Sequence, residues 1–215
     1  MILCDIGNTT YHFKTKNSDF KIGVNETLTK VKSLKKQIYF ISVNKKATKK
    51  LLKNFPNAIN ISKFINFKTS YQGMGIDRQI VCKYIQNGII VDIGSAITVD
   101  IMKNGKHQGG FILPGIGAYK RIYPNISKKL AFKFDTDINL DKIPLITNDA
   151  INYSILNSII APIKNIYKKY KTPIYFTGED SKLLLSYFED IPYKYKKNLI
   201  FNSMKKVIHK NIKGK

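Results

Sequence analysis

The sequence is poor in several residue types, and each shortage narrows what the protein can be. It has two cysteines, three histidines and no tryptophan among 215 residues. Cys4 and Cys82 form neither a metal-ligand spacing nor a disulfide pattern, and the histidines are far apart. The sequence therefore predicts no disulfide framework and no zinc site. Cys4, inside an apolar run, is expected to be a small core residue.

Long apolar runs are also missing. The best candidate for a membrane span is broken by Asp92 and Asp100, and Asp5 interrupts the N-terminal apolar stretch, which argues against a signal peptide. We therefore expect a soluble cytoplasmic protein without a membrane partner. The hydrophobic fraction of 43% is sufficient for a packed core.

Acidic residues are scarce as well, with 14 against 37 basic residues and a net charge of +23. Such an excess suits an anionic partner, which could be nucleic acid, a membrane surface or a phosphorylated substrate. However, the lysines are spread along the chain, and arginine, the usual reader of guanine edges, occurs only at Arg78 and Arg121. The pattern favours a solvated basic surface over specific nucleic-acid binding.

The most informative feature that is present is an internal repeat. Asp-Ile-Gly occurs at Asp5–Gly7 and again at Asp92–Gly94, each time after an apolar run and before small hydroxyl or amide residues. A repeat over such a long distance in sequence indicates a repeated structural unit. We predict two equivalent lobes, residues 1–87 and 88–215, that share one ligand, with a polyphosphate as the best candidate.

Each half of the chain follows the same order of predicted elements, which is a three-stranded meander and then alternating helices and strands. The predicted strands are 1–6, 10–14, 20–24, 37–43, 89–93, 97–102, 107–113 and 174–176. The predicted helices include a helix capped by Asn25 and Glu26, a Lys-rich helix with Leu51, Leu52 and Phe55 near its end, and helices at 76–85, 147–170, around 183–185 and 199–212. This order predicts an α/β protein with two mixed sheets.

The two Asp-Ile-Gly turns have the chemistry of a phosphate site. A glycine directly after a strand lets backbone amides approach phosphate oxygens, and a carboxylate beside phosphate requires a cation, for which Mg²⁺ is suited. Asp5 and Asp92 are therefore candidate metal ligands. The neutral donors beside them are Asn8, Thr9, Ser95 and Thr98. One such turn alone would be unremarkable, but two matched copies favour phosphate binding.

A second motif, Gly75-Ile76-Asp77-Arg78, places an acid and a guanidinium at the start of a helix. Arg78 could hold a carboxylate with two hydrogen bonds, and Asp77 could accept a proton from a substrate hydroxyl. Taken alone, the motif favours an ordinary helix start with an Asp–Arg pair. Two further turns, Gly109–Gly115 and Thr177–Asp180, are consistent with close approach to a ligand, but each is a weak signal.

Together and in this order, these motifs resemble those of the type III pantothenate kinases, members of the actin-like ATPase superfamily. The resemblance covers nearly the whole chain. The matching residues are Asp5, Gly7, Asn8, Thr9, Gly75, Asp77, Arg78, Asp92, Gly94, Ser95, Ala96, Thr98, Asp100, Gly109, Gly110, Ile112, Pro114, Gly115, Thr147, Ala150 and Ile151. The resemblance implies two duplicated ribonuclease H-like lobes with mixed sheets in an actin-like ATPase architecture.

The resemblance also implies ATP-dependent phosphorylation of pantothenate, the first step of coenzyme A synthesis, with Asp77 as the general base. It implies that pantothenate contacts Gly75, Arg78, Thr147 and Tyr71. The ATP phosphates would contact Asp5, Gly7, Asn8, Thr9, Gly94, Ser95, Thr98 and Gly178. Asp5 and Asp92 would hold Mg²⁺, with K⁺ or NH₄⁺ near Asp92. The family forms homodimers, in which Thr147 would reach the partner's site.

The chain departs from the family's motifs at three places, and two alternative functions stay open. Ser95 replaces the usual threonine but keeps the hydroxyl, Glu179 replaces a glycine near adenosine, and Ser42-Val43-Asn44 lacks a common proline. Glu179 puts nucleotide preference in doubt. One alternative is a non-enzymatic, basic regulatory or nucleic-acid-binding protein on the same scaffold. The other is a kinase of another small carboxylate-bearing alcohol.

Overall fold

A computed structural model describes residues 1–213, which divide into two units. The first unit contains Met1–Ile85 and the C-terminal stretch that begins at Asn198, and the second contains Gln86–Lys197. The boundary between Ile85 and Gln86 lies close to the predicted boundary after residue 87. The last helix was predicted in the second lobe, whereas the structure places it in the first unit.

The described residues form ten strands and six α-helices. The strands are β1 (Ile2–Ile6), β2 (Thr10–Lys14), β3 (Asp19–Gly23), β4 (Ile38–Ser42), β5 (Ile59–Asn60), β6 (Gly88–Ile93), β7 (Ala96–Lys103), β8 (Lys106–Pro114), β9 (Ile174–Thr177) and β10 (Tyr193–Tyr195). The helices are α1 (Thr29–Lys32), α2 (Lys45–Asn54), α3 (Ile76–Cys82), α4 (Ile116–Ile126), α5 (Thr147–Tyr170) and α6 (Leu199–Ile208). Short 3₁₀ segments cover Ser62–Phe64, Lys128–Leu130 and Asp180–Phe188, and a π-helical turn, His209–Lys213, follows α6.

The two units repeat one sheet topology. The first sheet has the order β3-β2-β1-β4-β5, and the second has the order β8-β7-β6-β9-β10. In each sheet the first three strands pair antiparallel as a meander, and the last two add in parallel. The predicted duplication with two mixed sheets is confirmed.

Apolar runs explain why β1 and β6 are the central strands. Ile2, Leu3, Cys4 and Ile6 are all buried in β1, and residues 88–91 and 93 are buried in β6. A strand that is apolar on both faces is expected to be covered on both faces. In the second unit α5 supplies the cover, with Ile155, Ile159 and Ile163 fully packed into the core.

The last helix joins the first unit because its apolar face packs there. Phe201, Met204 and Val207 recur at helical spacing on α6 and are buried, and the helix packs against α3 and β1. The ring of Phe201 lies edge-on to His12 of β2, with 4.7 Å between ring centroids. The periodicity predicted the helix, but not the unit against which it packs.

Several element boundaries differ from the predicted ones. α1 begins after Leu28 and receives no side-chain cap, so the expected cap from Asn25 and Glu26 is wrong. α3 ends at Cys82 rather than near residue 85. The segment around Leu184 is a 3₁₀ helix, Asp180–Phe188, rather than an α-helix. No helix among residues 1–213 combines the length and apolarity that crossing a bilayer requires.

Candidate active site

The first Asp-Ile-Gly turn connects β1 to β2. Its loop comprises residues 7–10, because Ile6 pairs with Tyr11, and the Gly7 N–H donates to the carbonyl of Thr10 at 3.0 Å. Asn8 and Thr9 are exposed at the tip, and Asp5 is half-buried one residue before the end of β1. The turn therefore presents a carboxylate, an amide and a hydroxyl at the carboxyl end of a central strand.

The neighbouring parallel strand ends at the same edge. Ser42 of β4 lies beside Ile6, and the Val43 N–H donates to the carbonyl of Ile6 at 3.1 Å. The next residue, Asn44, donates from its side-chain amide to the carbonyl of Asn8 at 3.2 Å. The segment after β4 is thus tied directly to the first turn.

The Gly75–Arg78 motif lies beside this segment. A Cβ added at Gly75 would lie 3.4 Å from Cγ1 of Val43 and would collide with the carboxylate of Asp77. The absence of a side chain at Gly75 makes room for that carboxylate, which accepts a hydrogen bond from the Arg78 N–H at 2.8 Å. The structure brings Gly75 and Asp77 to the sheet edge that carries the first turn.

Arg78 and Tyr71 are also brought together. The side chain of Arg78 is buried, and its guanidinium carbon lies 4.6 Å from the centroid of the Tyr71 ring. Stacking on an aromatic face orients a guanidinium plane, and that planar group matches the geometry of a carboxylate. The arrangement suits recognition of a carboxylate.

The second Asp-Ile-Gly turn connects β6 to β7 in the other unit. Its loop comprises residues 94–96, and the Gly94 N–H donates to the carbonyl of Ala96 at 3.1 Å. Asp92 pairs directly with Thr98 across the ladder, so their side chains lie on one face of the sheet. Ser95 is exposed at the tip. Carboxylate and hydroxyl groups again meet at the end of a central strand.

Two further glycines pack against this second turn. A Cβ at Gly115, which follows β8, would collide with the carbonyl oxygen of Gly94 and lie 2.6 Å from that of Ser95. A Cβ at Gly178, which follows β9, would collide with Asp92 and the carbonyl of Ile93, and Gly178 has a φ of +94°. The Gly-rich strand end and the Thr177-Gly178 turn therefore support the second turn by close backbone approach.

The glycines of the repeated motif, in contrast, have open space beside them. Among the described atoms, apart from those of the adjacent residues, a Cβ at Gly7 would meet only the Thr10 carbonyl oxygen, at 3.6 Å. A Cβ at Gly94 would meet only that of Ala96 at 3.9 Å. Protein packing does not require glycine at either position. The open space beside each backbone suits a ligand that approaches closely, and a phosphate group is such a ligand.

Each of the two turns has oxygen donors that fit a hard divalent cation. The first turn supplies the carboxylate of Asp5 and the hydroxyl of Thr9, and the second supplies the carboxylate of Asp92 and the hydroxyl of Thr98. Mg²⁺ prefers one or two carboxylates together with phosphate oxygens and water, so each turn by itself fits Mg²⁺ bound with a polyphosphate. Burial raises the pKa of the Cys4 thiol well above its ordinary value, and the charge of Asp5 adds to this effect. Cys4 is the buried core residue that the sequence predicted.

Thr147 is placed differently from the other candidates in its unit. It is the exposed first residue of α5, an element distinct from the strands that precede Gly94 and Gly178. The start of α5 is fixed by Asn152, whose buried amide donates to the carbonyls of Lys133 and Asn148 at 2.9 and 3.0 Å. Exposed apolar side chains, Ile143, Leu145 and Ile146, directly precede Thr147.

Two contacts in the structure were not predicted from the sequence. One is the hydrogen bond from Asn44 to Asn8. The other joins Asp100 and His107, which are buried and 2.9 Å apart. The Asn104-Gly105 turn could have predicted this pair, because it places His107 opposite Met102 and therefore diagonal to Asp100. Asp100, whose role the sequence left open, is a buried partner of His107.

Comparison with protein families gives one consistent result. The family model described as type III pantothenate kinase matches residues 1–169. A type III pantothenate kinase from Helicobacter hepaticus is 42% identical over 212 residues, which cover 99% of this chain and 100% of that protein. A type III pantothenate kinase from Campylobacter jejuni is 44% identical over 211 residues, which cover 98% of each chain.

A solved structure is also similar over nearly its whole length. A crystal structure from Campylobacter jejuni, described as a Baf family transcriptional activator, superposes with a TM-score of 0.81 at 42% sequence identity. The match covers 98% of both chains.

Proposed function

Because this chain belongs to the type III pantothenate kinase family, we propose that it transfers the γ-phosphoryl group of ATP to the primary hydroxyl of pantothenate in the cytoplasm. The product is phosphopantothenate, and the reaction is the first step of coenzyme A synthesis. The observation that carries the assignment of roles is the position of Gly75, Asp77 and Arg78 beside the first Asp-Ile-Gly turn.

In the first unit, Asp77 is the general base that accepts the proton of the pantothenate hydroxyl as that oxygen attacks the γ-phosphorus. Arg78 binds the pantothenate carboxylate, and Tyr71 holds the guanidinium plane by stacking against it. Gly75 leaves the space in which the Asp77 carboxylate lies. Thr147 is the remaining residue that we propose as a pantothenate contact.

The two repeated turns bind the phosphates of ATP. Gly7 and Gly94 let phosphate approach the backbone closely, Gly178 is a further phosphate contact, and the side chains of Asn8, Thr9, Ser95 and Thr98 donate to phosphate oxygens. Phosphoryl transfer requires positioning and charge neutralisation more than covalent help. Asp5 and Asp92 would hold Mg²⁺, which neutralises phosphate charge when bound, and Asp92 would also contact K⁺ or NH₄⁺. Glu179, which follows Gly178, is exposed, and we propose that it lies near the adenosine of ATP.

We further propose that the protein acts as a homodimer. Ile143, Leu145 and Ile146 are 76%, 98% and 60% exposed and directly precede Thr147. A contiguous exposed apolar segment beside a substrate-contacting residue is suited to cover by a second copy. Light scattering should give twice the chain mass of 24.6 kDa, and Leu145→Asp should shift it towards the monomer mass. A wild-type protein that stays monomeric at micromolar concentration would contradict this proposal.

A second candidate function is regulatory binding to nucleic acid. It is supported by the net charge of +23 and by the description of the similar crystal structure as a transcriptional activator. This function predicts tight DNA binding that weakens steeply with salt. The same preparation should be tested for DNA binding at several salt concentrations.

The experiment that tests the kinase is a coupled ADP-release assay with ATP, Mg²⁺ and K⁺, with and without pantothenate. The proposal predicts pantothenate-dependent ADP release. The excess positive charge should also make the rate sensitive to ionic strength, since ATP and pantothenate are both anionic. ADP release that is independent of pantothenate would contradict the proposed substrate.

A further inference from the structure

The side chain of Asn44, in the connection between β4 and α2, makes two hydrogen bonds to different parts of the chain. Its carbonyl oxygen accepts from the Ala47 N–H at 2.9 Å and so caps α2. Its amide nitrogen donates to the carbonyl of Asn8 at 3.2 Å. One side chain therefore joins the helix start to the exposed tip of the first turn.

The position of Asn44 is itself fixed by its neighbours. The Asn44 N–H donates to the hydroxyl of Ser42 at 3.0 Å. The Asn44 carbonyl accepts from the N–H of Thr48 at 2.9 Å, and the hydroxyl oxygen of Thr48 lies 2.9 Å from that carbonyl and 2.7 Å from the hydroxyl oxygen of Ser42. The amide that reaches Asn8 is thus held on a rigid base rather than on a mobile loop.

The bond to Asn8 sets the direction of a backbone donor. In a trans peptide the carbonyl of one residue and the N–H of the next lie in one plane and point in opposite directions. Since Asn44 holds the Asn8 carbonyl, the Thr9 N–H of the same peptide points away from α2. A backbone N–H in a Gly-containing turn is the kind of donor that binds phosphate oxygens.

We propose that Asn44 is a positioning residue for phosphoryl transfer. Its amide orients the Asn8–Thr9 peptide so that the Thr9 N–H and the neighbouring side chains are preset for the phosphates of ATP. The inference rests on the proposed function of the first turn. It gives the residue after β4 a role in ATP binding in addition to its role as a helix cap.

The two hydrogen bonds of Asn44 can be separated by substitution. Serine and aspartate cap helices about as well as asparagine, because each offers a side-chain oxygen to the first-turn N–H groups. Neither carries an amide donor, and the serine side chain is also too short to reach Asn8 in place of an amide. Asn44→Ser therefore keeps the cap of α2 and removes the bond to the first turn.

A matched control exists at the other end of α2. The amide of Asn54 donates to the carbonyl of Lys50 at 2.9 Å, so Asn54→Ser removes a bond of the same type from the same helix. We expect Asn44→Ser to raise the KM for ATP about tenfold, the factor of one ordinary hydrogen bond, with the KM for pantothenate nearly unchanged. Asn54→Ser should leave both KM values at wild-type levels, and the melting temperatures of the two variants should be similar.

Three measurements decide the proposal. The steady-state KM values come first, and Asn44→Asp is added to separate positioning from charge. Hydrogen exchange of the amides of residues 7–10 and calorimetric binding of a non-hydrolysable ATP analogue give readouts that do not need turnover. Faster exchange in the turn and weaker analogue binding for Asn44→Ser, relative to Asn54→Ser, would support the positioning role.

Other outcomes would overturn it. Unchanged exchange and unchanged analogue affinity in Asn44→Ser would reject the role of Asn44, and an effect in Asn44→Asp alone would assign the effect to charge. If wild-type protein forms no phosphopantothenate, the proposed function fails. The exchange and analogue-binding results still test Asn44 in that case, so the two failures are distinguishable.

Discussion

The first and second Asp-Ile-Gly turns share the groups that we propose face the ligand, but they differ in how they are supported. Both place a carboxylate at the end of a central strand, and both leave open space beside the motif glycine, Gly7 or Gly94. The first turn is one residue longer and is braced by the side-chain amide of Asn44. The second is braced by the backbones of Gly115 and Gly178.

This difference separates what the repeat preserves from what it does not. The preserved part is the strand, the acid and the uncovered glycine, which are the groups that a phosphate would contact. The support follows from the neighbouring element. In the first unit β4 leads into a capped α-helix, whereas in the second unit β9 leads into a 3₁₀ helix through Gly178.

The hairpins beside the two turns differ in the same manner. Each carries an Asp–His pair, His12 with Asp19 in β2–β3 and Asp100 with His107 in β7–β8, at 2.6 and 2.9 Å. The first pair is partly exposed and also includes Lys14, while the second is buried. Breaking a buried polar pair lowers the free energy of unfolding strongly, whereas breaking a solvent-exposed pair changes it little.

The largest expected effect is in the buried pair. Asp100→Ala should lower the free energy of unfolding by about 4 kcal/mol, because it leaves His107 buried without this partner. Denaturant unfolding monitored by circular dichroism measures the change. A loss below about 1 kcal/mol, as expected for a surface pair, would remove the distinction between the two hairpins.

The next largest effect concerns the support of the second turn. Gly178→Ala should cost about 3 kcal/mol, because the added Cβ collides with the backbone of Ile93 and the residue has a φ of +94°. The melting temperature should fall by about 6–12 °C. A melting temperature equal to that of the wild type would show that the second turn accommodates the added methyl group without a loss of stability.

Alanine at the motif glycines should have the opposite signature. Gly7→Ala and Gly94→Ala meet no protein atom closer than 3.6 Å outside the adjacent chain positions of the described structure. We expect nearly unchanged melting temperatures and a kcat/KM for ATP that falls about tenfold or more, since the methyl occupies space used by phosphate. Gly178→Ala serves as the contrast in melting temperature alone. Destabilisation without a kinetic change would contradict the ligand-facing role.

The smallest expected effect is in the exposed pair. Burial raises the pKa of Asp19, but hydrogen bonds and charges from Lys14 and His12 outweigh it, so the pKa lies below the ordinary 3.8. A lowered carboxyl pKa contributes stability above pH 3.8 that is lost as the pH falls through the folded-state value. Asp19→Asn should therefore cost about 0.5 kcal/mol at neutral pH. The cost should vanish in unfolding curves measured near pH 2, and a cost that grows on acidification would contradict this assignment.

The sequence predicted the repeated features better than the features that differ between the units. The meanders, the long helix α5 and the duplicated sheets followed from apolar runs and turn residues, and the strand β2 was predicted with its observed bounds. The edge strands β5 and β10 were missed, since two or three residues give no measurable periodicity. The packing of α6 on the first unit depends on a partner surface that its own sequence does not specify.

The roles of the candidate site residues stay predictions. The repeat singled out Asp5, Asp92 and the motif glycines, and the Gly75–Arg78 motif singled out residues that the structure places beside the first turn. The bond from Asn44 to Asn8 depends on the parallel pairing of β1 with β4, which brings together residues far apart in sequence. A single sequence contains no local signal for such a contact.

The most direct test of phosphoryl transfer to pantothenate compares wild-type protein with Asp77→Asn under saturating ATP, Mg²⁺ and pantothenate. Mass spectrometry of the products should detect phosphopantothenate with the wild type. The variant should bind an ATP analogue normally but turn over about 100-fold or more slowly, because an amide cannot accept the hydroxyl proton. Phosphopantothenate formed by both proteins at equal rates would contradict the role of Asp77, and its absence with folded wild-type protein would contradict the kinase itself.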